Sequence, residues 1–368
     1  MKISYIAPFA TKFPSSSASS IHMVRMCQAL SENGHEVTLF CSEPRVTKEK
    51  IQDFYGIAPD FELESVNGYV RKLDRLIFSF LSVKKSKYKK CDLIVSRNGM
   101  IPFFSNLFSI DFSFDSHGPV WEKNFVEHFL FKFAIRSRFF KKMTTNSKKL
   151  KEMYVAKGYI PNCGIEVANN GADNRVPASA ELFELKGNFD INVGYTGHLY
   201  SGRGIEIIVE CASRLPDIGF HLIGGNKEDV NFWKKDSCLD NLYFYGFVKP
   251  SMLAVVRNNL DILLAPYQSS GVAVAGGKGD TSQYMNPIKV IEYFSSGKPI
   301  VVSDLPAIKD IVDKDDVVIF VAPDDVDQWV DSILKLKDKG ERDKYSKKVL
   351  SFFNEGMSWS ARARKLSE

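Results

Sequence analysis

Short apolar runs alternate with longer amphipathic segments along most of the chain, and this alternation limits the fold more than any other feature. In the first half it predicts strands at 2–7, 36–40, 92–96, 111–115 and 143–146. In the second half it predicts strands at 191–196, 220–223, 242–245, 262–265, 299–303 and 317–321. Apolar residues recur at helical spacing between the strands, for example from Ile21 to Leu30. Repeated strand–helix–strand units predict parallel sheets covered by helices on both faces.

The alternation is interrupted once, between residues 174 and 189, where the chain is polar and contains Pro and Gly. A length of 368 residues is enough for two domains with separate cores. We therefore predict an α/β protein with domains at 1–175 and 190–350. Ligands of open parallel sheets bind outside the carboxyl ends of the strands, so a cleft between the two sheets is the predicted site.

The composition excludes several protein classes. Hydrophobic residues make up 44% and charged residues 25%, as in globular proteins. No apolar run reaches the roughly 18 residues that span a bilayer, and Met1–Pro8 lacks the apolar core of a signal peptide. A cytoplasmic location is therefore expected. The six cysteines are scattered without metal-ligand spacing, which indicates small buried hydrophobic residues and not zinc ligands.

The positive charge is concentrated in the first half. Residues 1–175 contain 26 Lys and Arg against 17 Asp and Glu, a net charge of +9, whereas the remainder carries −4. This asymmetry favours an anionic partner such as a membrane surface or a phosphorylated acceptor. Segments 70–85 and 124–142 are amphipathic and basic, so they either lie on anionic lipid or pack the domain core. No module typical of nucleic-acid binding is present, so no nucleic-acid partner is predicted.

The strongest motif runs from Asn286 to Ser303. Pro287 lies near the first turn of a predicted helix, and Gly297 ends that helix before a buried strand. A helix N-terminus offers unpaired N–H groups to a phosphate, and Lys289 would add a full charge. Glu292 lies one turn further on, where a carboxylate can accept hydrogen bonds from ribose hydroxyls. The alternative is an ordinary amphipathic helix with Lys and Glu on its surface.

A second motif, residues 193–206, joins a strand to a helix through a loop with three glycines. Arg203 lies at the helix entrance, where a guanidinium can bind a diphosphate with two hydrogen bonds. The alternative is a tight connection with a surface Arg. The Asp-x-Asp patterns 313–315 and 325–327 fall at element boundaries, where turn and N-cap roles account for them, so no metal site is predicted.

These segments together resemble glycosyltransferase family 4, whose members have the GT-B fold of two facing Rossmann-like domains. The resemblance covers most of the chain and rests on 33–38, 168–173, 197–204, 245–248, 284–292 and 358–363. It implies metal-independent, retaining transfer of a sugar from a nucleotide-sugar donor to a glycan or lipid-linked acceptor, in the synthesis of a cell-surface polysaccharide or glycoconjugate. Residues 1–175 would bind the acceptor and 190–350 the donor, and 351–368 would form a helix that crosses back to the first domain.

The resemblance also assigns roles to individual residues. The residues implied in catalysis are His117, Arg203 and Lys289, with Asp115 orienting His117. The residues implied in donor binding are Ser16, Ser17, Gly197, His198, Gly246, Val248, Tyr284, Asn286, Pro287, Ile288 and Glu292. No separate cofactor is expected, and a UDP-linked donor is favoured over a GDP-linked one.

Two positions depart from the family pattern. His198 stands where the family has the Arg of its diphosphate clamp, and Tyr284 replaces the first of two glutamates separated by seven residues. These departures leave a second class of function open: a non-catalytic protein that holds a nucleotide sugar or supports a partner transferase. A sugar-nucleotide epimerase would need further acidic and basic residues in the cleft, which the sequence does not locate.

Overall fold

The computed structural model describes residues 1–66, 73–122, 125–159, 164–173, 182–235, 237–272, 280–314 and 316–368. These residues form two compact units. Unit 1 contains Met1–Asn170 and Trp359–Glu368, and unit 2 contains Gly171–Ser358. The units therefore change at residue 171 and not within 174–189, because the Ala172 N–H donates to the Met357 carbonyl at 3.0 Å and ties this segment to unit 2. Residues 174–181 of the expected join lie outside the described residues.

Unit 1 is built on a parallel sheet of seven strands in the order β3-β2-β1-β4-β5-β6-β7. Its strands are β1 Lys2–Ile6, β2 Glu36–Cys41, β3 Glu62–Ser65, β4 Leu93–Ser96, β5 Asp111–Ser116, β6 Phe140–Thr145 and β7 Ile165–Val167. Its helices before residue 170 are α1 Ala18–Glu32, α2 Lys48–Tyr55, α3 Asp74–Tyr88, α4 Ile101–Leu107, α5 Phe125–Ala134 and α6 Lys148–Ala156. A short 3-10 helix covers Val120–Glu122.

The five strands predicted in the first half are confirmed, whereas β3 and β7 were not predicted. Both unpredicted strands lie at the edges of the sheet. An edge strand is covered less completely than a central one, so it needs fewer apolar residues. The sequence of β3, with Glu62 and Glu64, accordingly has no continuous apolar run.

Unit 2 contains a parallel sheet of six strands in the order β10-β9-β8-β11-β12-β13. Its strands are β8 Asn192–Thr196, β9 Gly219–Ile223, β10 Leu242–Gly246, β11 Ile262–Ala265, β12 Ile300–Ser303 and β13 Ile319–Val321, as predicted within one or two residues at each end. Its helices are α7 Ile205–Arg214, α8 Lys227–Lys235, α9 Leu253–Asn258, α10 Ile288–Ser296, α11 Pro306–Lys309, α12 Val326–Lys335 and α13 Lys339–Asn354, with a 3-10 turn at Pro250–Met252.

The chain ends with a helix, α14, at Trp359–Ser367, which belongs to unit 1. The expected helix 351–368 is therefore too long. Residues 351–354 continue α13, whose Val349 and Phe352 pack in the core of unit 2, and α14 begins only at Trp359. Within the described part of the chain, no helix is long and apolar enough to cross a membrane.

The strand order reverses once in each sheet, between β1 and β4 in unit 1 and between β8 and β11 in unit 2. At such a switch point the connections leave in opposite directions and open a crevice at the carboxyl ends of the strands. Ligand-binding groups are therefore expected just after β1, β4, β8 and β11.

Candidate functional site

Glycines bring three loops of unit 2 into close contact at the carboxyl edge of its sheet. Gly197, Gly224 and Gly246 follow or end β8, β9 and β10, and all three have positive φ. The Gly197 N–H donates to Ile223 O at 2.9 Å, and the Gly224 N–H donates to Gly246 O at 2.8 Å. A Cβ at Gly224 would lie 2.1 Å from Gly197 O, so a side chain does not fit there. The loops thus present backbone instead of side chains at this edge.

Lys289 extends from the first turn of α10 into a cage of aromatic rings at the same edge. Its Nζ lies 3.7 Å from the ring centroid of Tyr195 and 4.7 Å from that of Tyr267. Both rings are buried, and Tyr267 follows β11 at the switch point. The Arg203 guanidinium lies 5.1 Å from the centroid of the same Tyr267 ring. The structure therefore brings the two predicted diphosphate-binding cations to one aromatic residue.

The amine of Lys289 is buried and has no hydrogen-bond partner among the described residues. Its burial, together with repulsion from Arg203, holds the pKa of Lys289 well below its usual value, and Glu292 opposes this only in part. A buried, unpaired cation is costly, and an anionic ligand would remove that cost. The local electrostatics of unit 2 therefore favour an anion beside Lys289.

The start of α10 is also suited to an anion. Pro287 is the N-cap residue and has no side-chain oxygen with which to cap the helix. Val290, Ile291, Tyr293 and Phe294 are buried, so the helix is anchored by one face. Lys289 and Glu292 share another face because residues three apart are neighbours on a helix.

Glu292 forms an ion pair that the sequence did not indicate. Its Oε2 lies 3.2 Å from Arg257 Nη1, and the two side chains are 22% and 3% exposed. The pair fixes one carboxylate oxygen, while the side chain keeps access to solvent. The expected ribose contact is thus compatible with the geometry, although Glu292 also neutralises a buried guanidinium.

We expect Glu292→Gln to weaken nucleotide-sugar binding by roughly 1–3 kcal/mol, the range for losing a hydrogen bond to a charged group. Gln retains an acceptor for Arg257, whereas Ala would leave that guanidinium buried without its partner. Isothermal titration with the donor measures the effect. Arg257→Met is the matched control, since it breaks the ion pair but keeps the carboxylate. If both variants lose equal affinity, Glu292 acts only through the ion pair.

The remaining predicted donor-binding residues of unit 2 are buried or half-buried, or stack on a neighbouring ring. The His198 ring stacks on Tyr200 with centroids 4.7 Å apart and planes within 4°. Its carbonyl accepts a 2.6 Å hydrogen bond from Tyr195 Oη, which joins the loop to the aromatic cage. Asn286 is buried, Tyr284 and Ile288 are half-buried, and Val248 packs partly buried against the core of unit 2.

In unit 1 the predicted residue His117 belongs to a buried polar cluster after β5. Its Nε2 lies 3.2 Å from Asp115 Oδ2 and 3.3 Å from Arg362 Nη2, and its Nδ1 lies 3.5 Å from Asn146 Nδ2. Burial, followed by the charge of Arg97, lowers the pKa of His117 to about 3. The structure thus supplies the orienting Asp115 that the sequence suggested, and adds Arg362 from α14.

Ser16 and Ser17 precede α1 at the same edge of the unit 1 sheet. Ser17 is the N-cap residue, and its side chain accepts from the Ser20 N–H at 3.2 Å. Ser16 is half-buried. The cap uses the Ser17 hydroxyl as an acceptor, so a ligand contact through this hydroxyl would be one in which Ser17 donates.

One group of side chains in the described part of the chain has metal-ligand chemistry: His22, Asp115 and His117, whose ligand atoms lie within 4.8 Å of one another. Arg362 Nη2 already lies 2.8 Å from Asp115 Oδ1 and 3.3 Å from His117 Nε2. A metal ion there would face a guanidinium at close range, so these residues do not fit a cation. Of the two Asp-x-Asp patterns, Asp325 is confirmed as an N-cap, and residue 315 lies outside the described residues.

Sequence reasoning missed Tyr195, Tyr267, Arg257, Gly224 and Arg362. The glycine pair 224–225 directly after a strand was a usable signal, because such pairs mark close backbone approach. The two tyrosines and Arg257 looked like ordinary core and helix residues. Their roles depend on which loops meet at the switch point, and this is a property of the tertiary structure.

Comparison with protein-family models identifies the family of this chain. A model described as "Glycosyl transferases group 1" matches residues 190–339, and one described as "Glycosyltransferase Family 4" matches residues 19–175. The chain belongs to the family 4, group 1 glycosyltransferases. This confirms the resemblance found in the sequence.

Two solved structures illustrate the fold that this chain shares with other proteins. Sucrose-phosphate synthase from Thermosynechococcus elongatus has a TM-score of 0.72 at 14% identity, covering 100% of this chain and 98% of that chain. Anabaena HepE in complex with UDP-glucose has a TM-score of 0.69 at 12% identity, with the same coverage of 100% and 98%. The predicted GT-B fold of two Rossmann-like domains is confirmed.

Among curated relatives, the family member is similar to a Bacillus subtilis protein, TuaH, named for a glycosyltransferase role in teichuronic acid biosynthesis. The two are 26% identical over 146 residues, which is 39% of this chain and 34% of that protein. The match thus spans about a third of the length of that relative.

Proposed function

We propose that the protein is a metal-independent, retaining glycosyltransferase that moves a sugar from a nucleotide-sugar donor to a glycan or lipid-linked acceptor. The pathway proposed is the synthesis of a cell-surface polysaccharide or glycoconjugate, and family membership and the TuaH relative support it. The observation that carries the proposal is the buried, unpaired amine of Lys289 beside Arg203 and the start of α10.

The chemistry follows from this arrangement. In glycosyl transfer the leaving nucleoside diphosphate gains negative charge as the sugar departs. Two cations and a helix N-terminus stabilise that charge without reorganising during the reaction. Arg203 and Lys289 would therefore act mainly in the transition state, where the diphosphate carries the most charge.

A UDP-linked sugar is the proposed donor. The support is the HepE structure, which holds UDP-glucose in a protein of the same fold. A thermal-shift screen with UDP-, GDP-, ADP- and TDP-linked sugars tests the choice, since a ligand of the native state raises its stability by mass action. Stabilisation by GDP-sugars alone would overturn the choice of donor.

Turnover distinguishes the enzyme from a non-catalytic binder. The donor that stabilises the chain is incubated with it, with and without EDTA, and release of the free nucleotide is followed. Binding without hydrolysis or transfer to any glycan tested would favour the binding protein that Tyr284 and His198 left open. Loss of activity in EDTA with recovery in Mn²⁺ or Mg²⁺ would contradict the metal-independent mechanism.

Peripheral contact with an anionic membrane is part of the proposal, and the structure changes which residues would make it. The lysines in and directly after α3 are partly neutralised, because Lys85 lies 2.5 Å from Glu64 and Lys89 lies 2.9 Å from Glu62. Much of α3 also packs inward, with Phe78 and Val83 buried. Residues 70–72 of that segment lie outside the described residues.

Helix α5 instead carries the exposed apolar face. Phe125, Phe129 and Phe133 are 80%, 63% and 61% exposed, whereas Phe131 of the same helix is fully buried. The exposed basic residues nearby are Lys132, Arg136 and Arg138. Exposed aromatic residues with basic neighbours suit the interface of an anionic bilayer. Asn124, the first residue of the predicted segment, lies outside the described residues.

We expect the protein to co-sediment with vesicles containing anionic lipid at low salt, and a variant with Phe125, Phe129 and Phe133 changed to Ser to lose most of this binding. Replacing Lys84, Lys85, Lys87, Lys89 and Lys90 by Gln should have the smaller effect. Phe232→Ser is the control, since Phe232 is 64% exposed on unit 2. Native protein that stays in the supernatant at low salt would indicate a soluble acceptor.

A further inference from the structure

The cluster around His117 contains one full negative charge and a cation brought to it by the C-terminal helix. Arg362 is 2% exposed, and its Nη2 donates to Asp115 Oδ1 at 2.8 Å. Trp359, one turn earlier on α14, packs edge-on against His22 with ring centroids 5.3 Å apart. Trp359 thus anchors α14 so that Arg362 faces the Asp115 carboxylate. Among the described residues of α14, Arg362 carries the only buried guanidinium.

Asp115 accepts contacts on both oxygens. Thr144 Oγ1 donates to Oδ1 at 2.9 Å, and Oδ1 also receives Arg362. On Oδ2, His22 Nε2 and His117 Nε2 each lie at 3.2 Å, with Tyr5 Oη at 3.4 Å. Oδ2 can only accept, and Arg362 Nη2, which lies 3.3 Å from the same Nε2, donates to Oδ1 at 2.8 Å, so we assign the proton of His117 to Nε2 and the lone pair to Nδ1. Asn146 Nδ2 faces that lone pair at 3.5 Å.

We propose that Arg362 is a positioning residue: by pairing with Asp115 it holds the carboxylate that orients His117, so that His117 stays a neutral imidazole that donates from Nε2. The inference rests on the proposed role of His117 in binding substrate. A protonated imidazole would have no acceptor and would repel the neighbouring guanidinium groups. The sequence suggested Asp115 as the orienting group but assigned no role to Arg362, which lies 247 residues away.

Burial and the charge of Arg97 contribute most to the lowered pKa of His117, and Arg362 adds to them while it also pairs directly with Asp115. The groups that face the imidazole are His22 on α1, Arg97 after β4, Asp115 on β5 and Arg362 on α14. Burial by itself raises the pKa of Asp115. Arg362 and the two histidines nevertheless hold this pKa well below its usual range. Without Arg362, the buried carboxylate would lose its direct cationic partner, and His117 would be the group placed to take up a proton.

The test follows His117 directly. Long-range ¹H–¹⁵N spectra of the full chain with labelled histidines distinguish the two neutral tautomers and the protonated form, and His117→Gln assigns the signal. In the native chain we expect the Nε2–H tautomer with no titration from pH 5 to 8. In Arg362→Met we expect the protonation midpoint to rise by about 2 pH units or more. Arg364→Met, at an exposed position of α14, should change nothing.

A double variant separates positioning from a structural role. Arg362→Met with Asp115→Asn removes both charges, so the rise in the His117 midpoint should disappear. A structural role alone predicts no such rescue. The proposal is overturned if His117 stays neutral at pH 5 in folded Arg362→Met, or if the native chain shows the Nδ1–H tautomer. The second result needs no variant, so the proposal stays testable if Arg362→Met does not fold.

Substrate binding provides a second readout. For the nucleotide sugar found in the thermal screen, Arg362→Met should bind at least about tenfold more weakly below its new midpoint and recover above it, while the native affinity shows no such recovery. If no nucleotide sugar binds, the proposed function fails, but the tautomer and titration of His117 still decide the role of Arg362.

Discussion

Replacing Lys289 by Met should lower turnover at least about 100-fold, as happens when one donor of a preorganised electrostatic site is removed. Met has nearly the same length, so it fills the space between the Tyr195 and Tyr267 rings and leaves no large cavity. Arg203→Met should have an effect of the same order. Because both cations contact Tyr267, we expect the double variant to lose less than the product of the single effects.

The lowered pKa of Lys289 adds a pH dependence to this prediction. A diphosphate partner favours the protonated amine, so the pKa of Lys289 is higher in the complex than in the free protein, and binding takes up a proton wherever the free amine is deprotonated. Donor affinity should then be full below the pKa of the free protein and fall as the pH rises above it. Titration calorimetry in buffers with different ionisation heats counts the proton, and the uptake should vanish in Lys289→Met.

Lys335→Met is the matched control for both measurements. Lys335 also lies over an aromatic ring, with Nζ 5.5 Å from the Tyr345 centroid, but it is an exposed residue at the end of α12. Its replacement should leave turnover and proton uptake unchanged. Native turnover in Lys289→Met, with donor affinity intact, would remove Lys289 from the mechanism.

Replacing Gly204 by Val should destabilise unit 2 by several kcal/mol. Gly204 precedes α7 with φ of +71°, and a Cβ there would lie 1.7 Å from Pro266 O. The left-handed conformation costs about 1–2 kcal/mol for a residue with a Cβ, and the clash with backbone adds strain of about 1–3 kcal/mol or more. The loop that carries Arg203 cannot relax freely, because Gln268 N–H donates to Gly202 O at 3.0 Å.

Hydrogen exchange of peptides from unit 2 measures this loss separately from unit 1, since a two-unit chain need not unfold in one step. Gly297→Val is the control. Gly297 has a similar φ of +64°, but its Cβ would meet only Leu350 at an ordinary 3.6 Å. The difference between the two variants isolates the contact with Pro266. Equal destabilisation would show that backbone conformation alone explains the effect.

Local sequence patterns determined which segments form strands and helices. The central strands were predictable because parallel strands buried on both faces are apolar along their length. The edge strands β3 and β7 were not predicted, because burial on their side of the sheet is incomplete. The motifs at 197–204 and 286–292 could also be found in the sequence, since each lies within one stretch of chain, whereas their proximity to each other depends on the fold.

The sequence by itself thus determined the family, the two α/β units and the identity of the cations Arg203 and Lys289. The tertiary structure alone decided the surroundings that give these residues their properties. The aromatic cage of Lys289 draws Tyr195 and Tyr267 from the ends of two strands, and the pairing of Asp115 with Arg362 joins β5 to the last helix of the chain. Burial and electrostatics depend on which groups are near in space, and proximity between residues distant in the chain arises only when the sheets form and the helices pack on them.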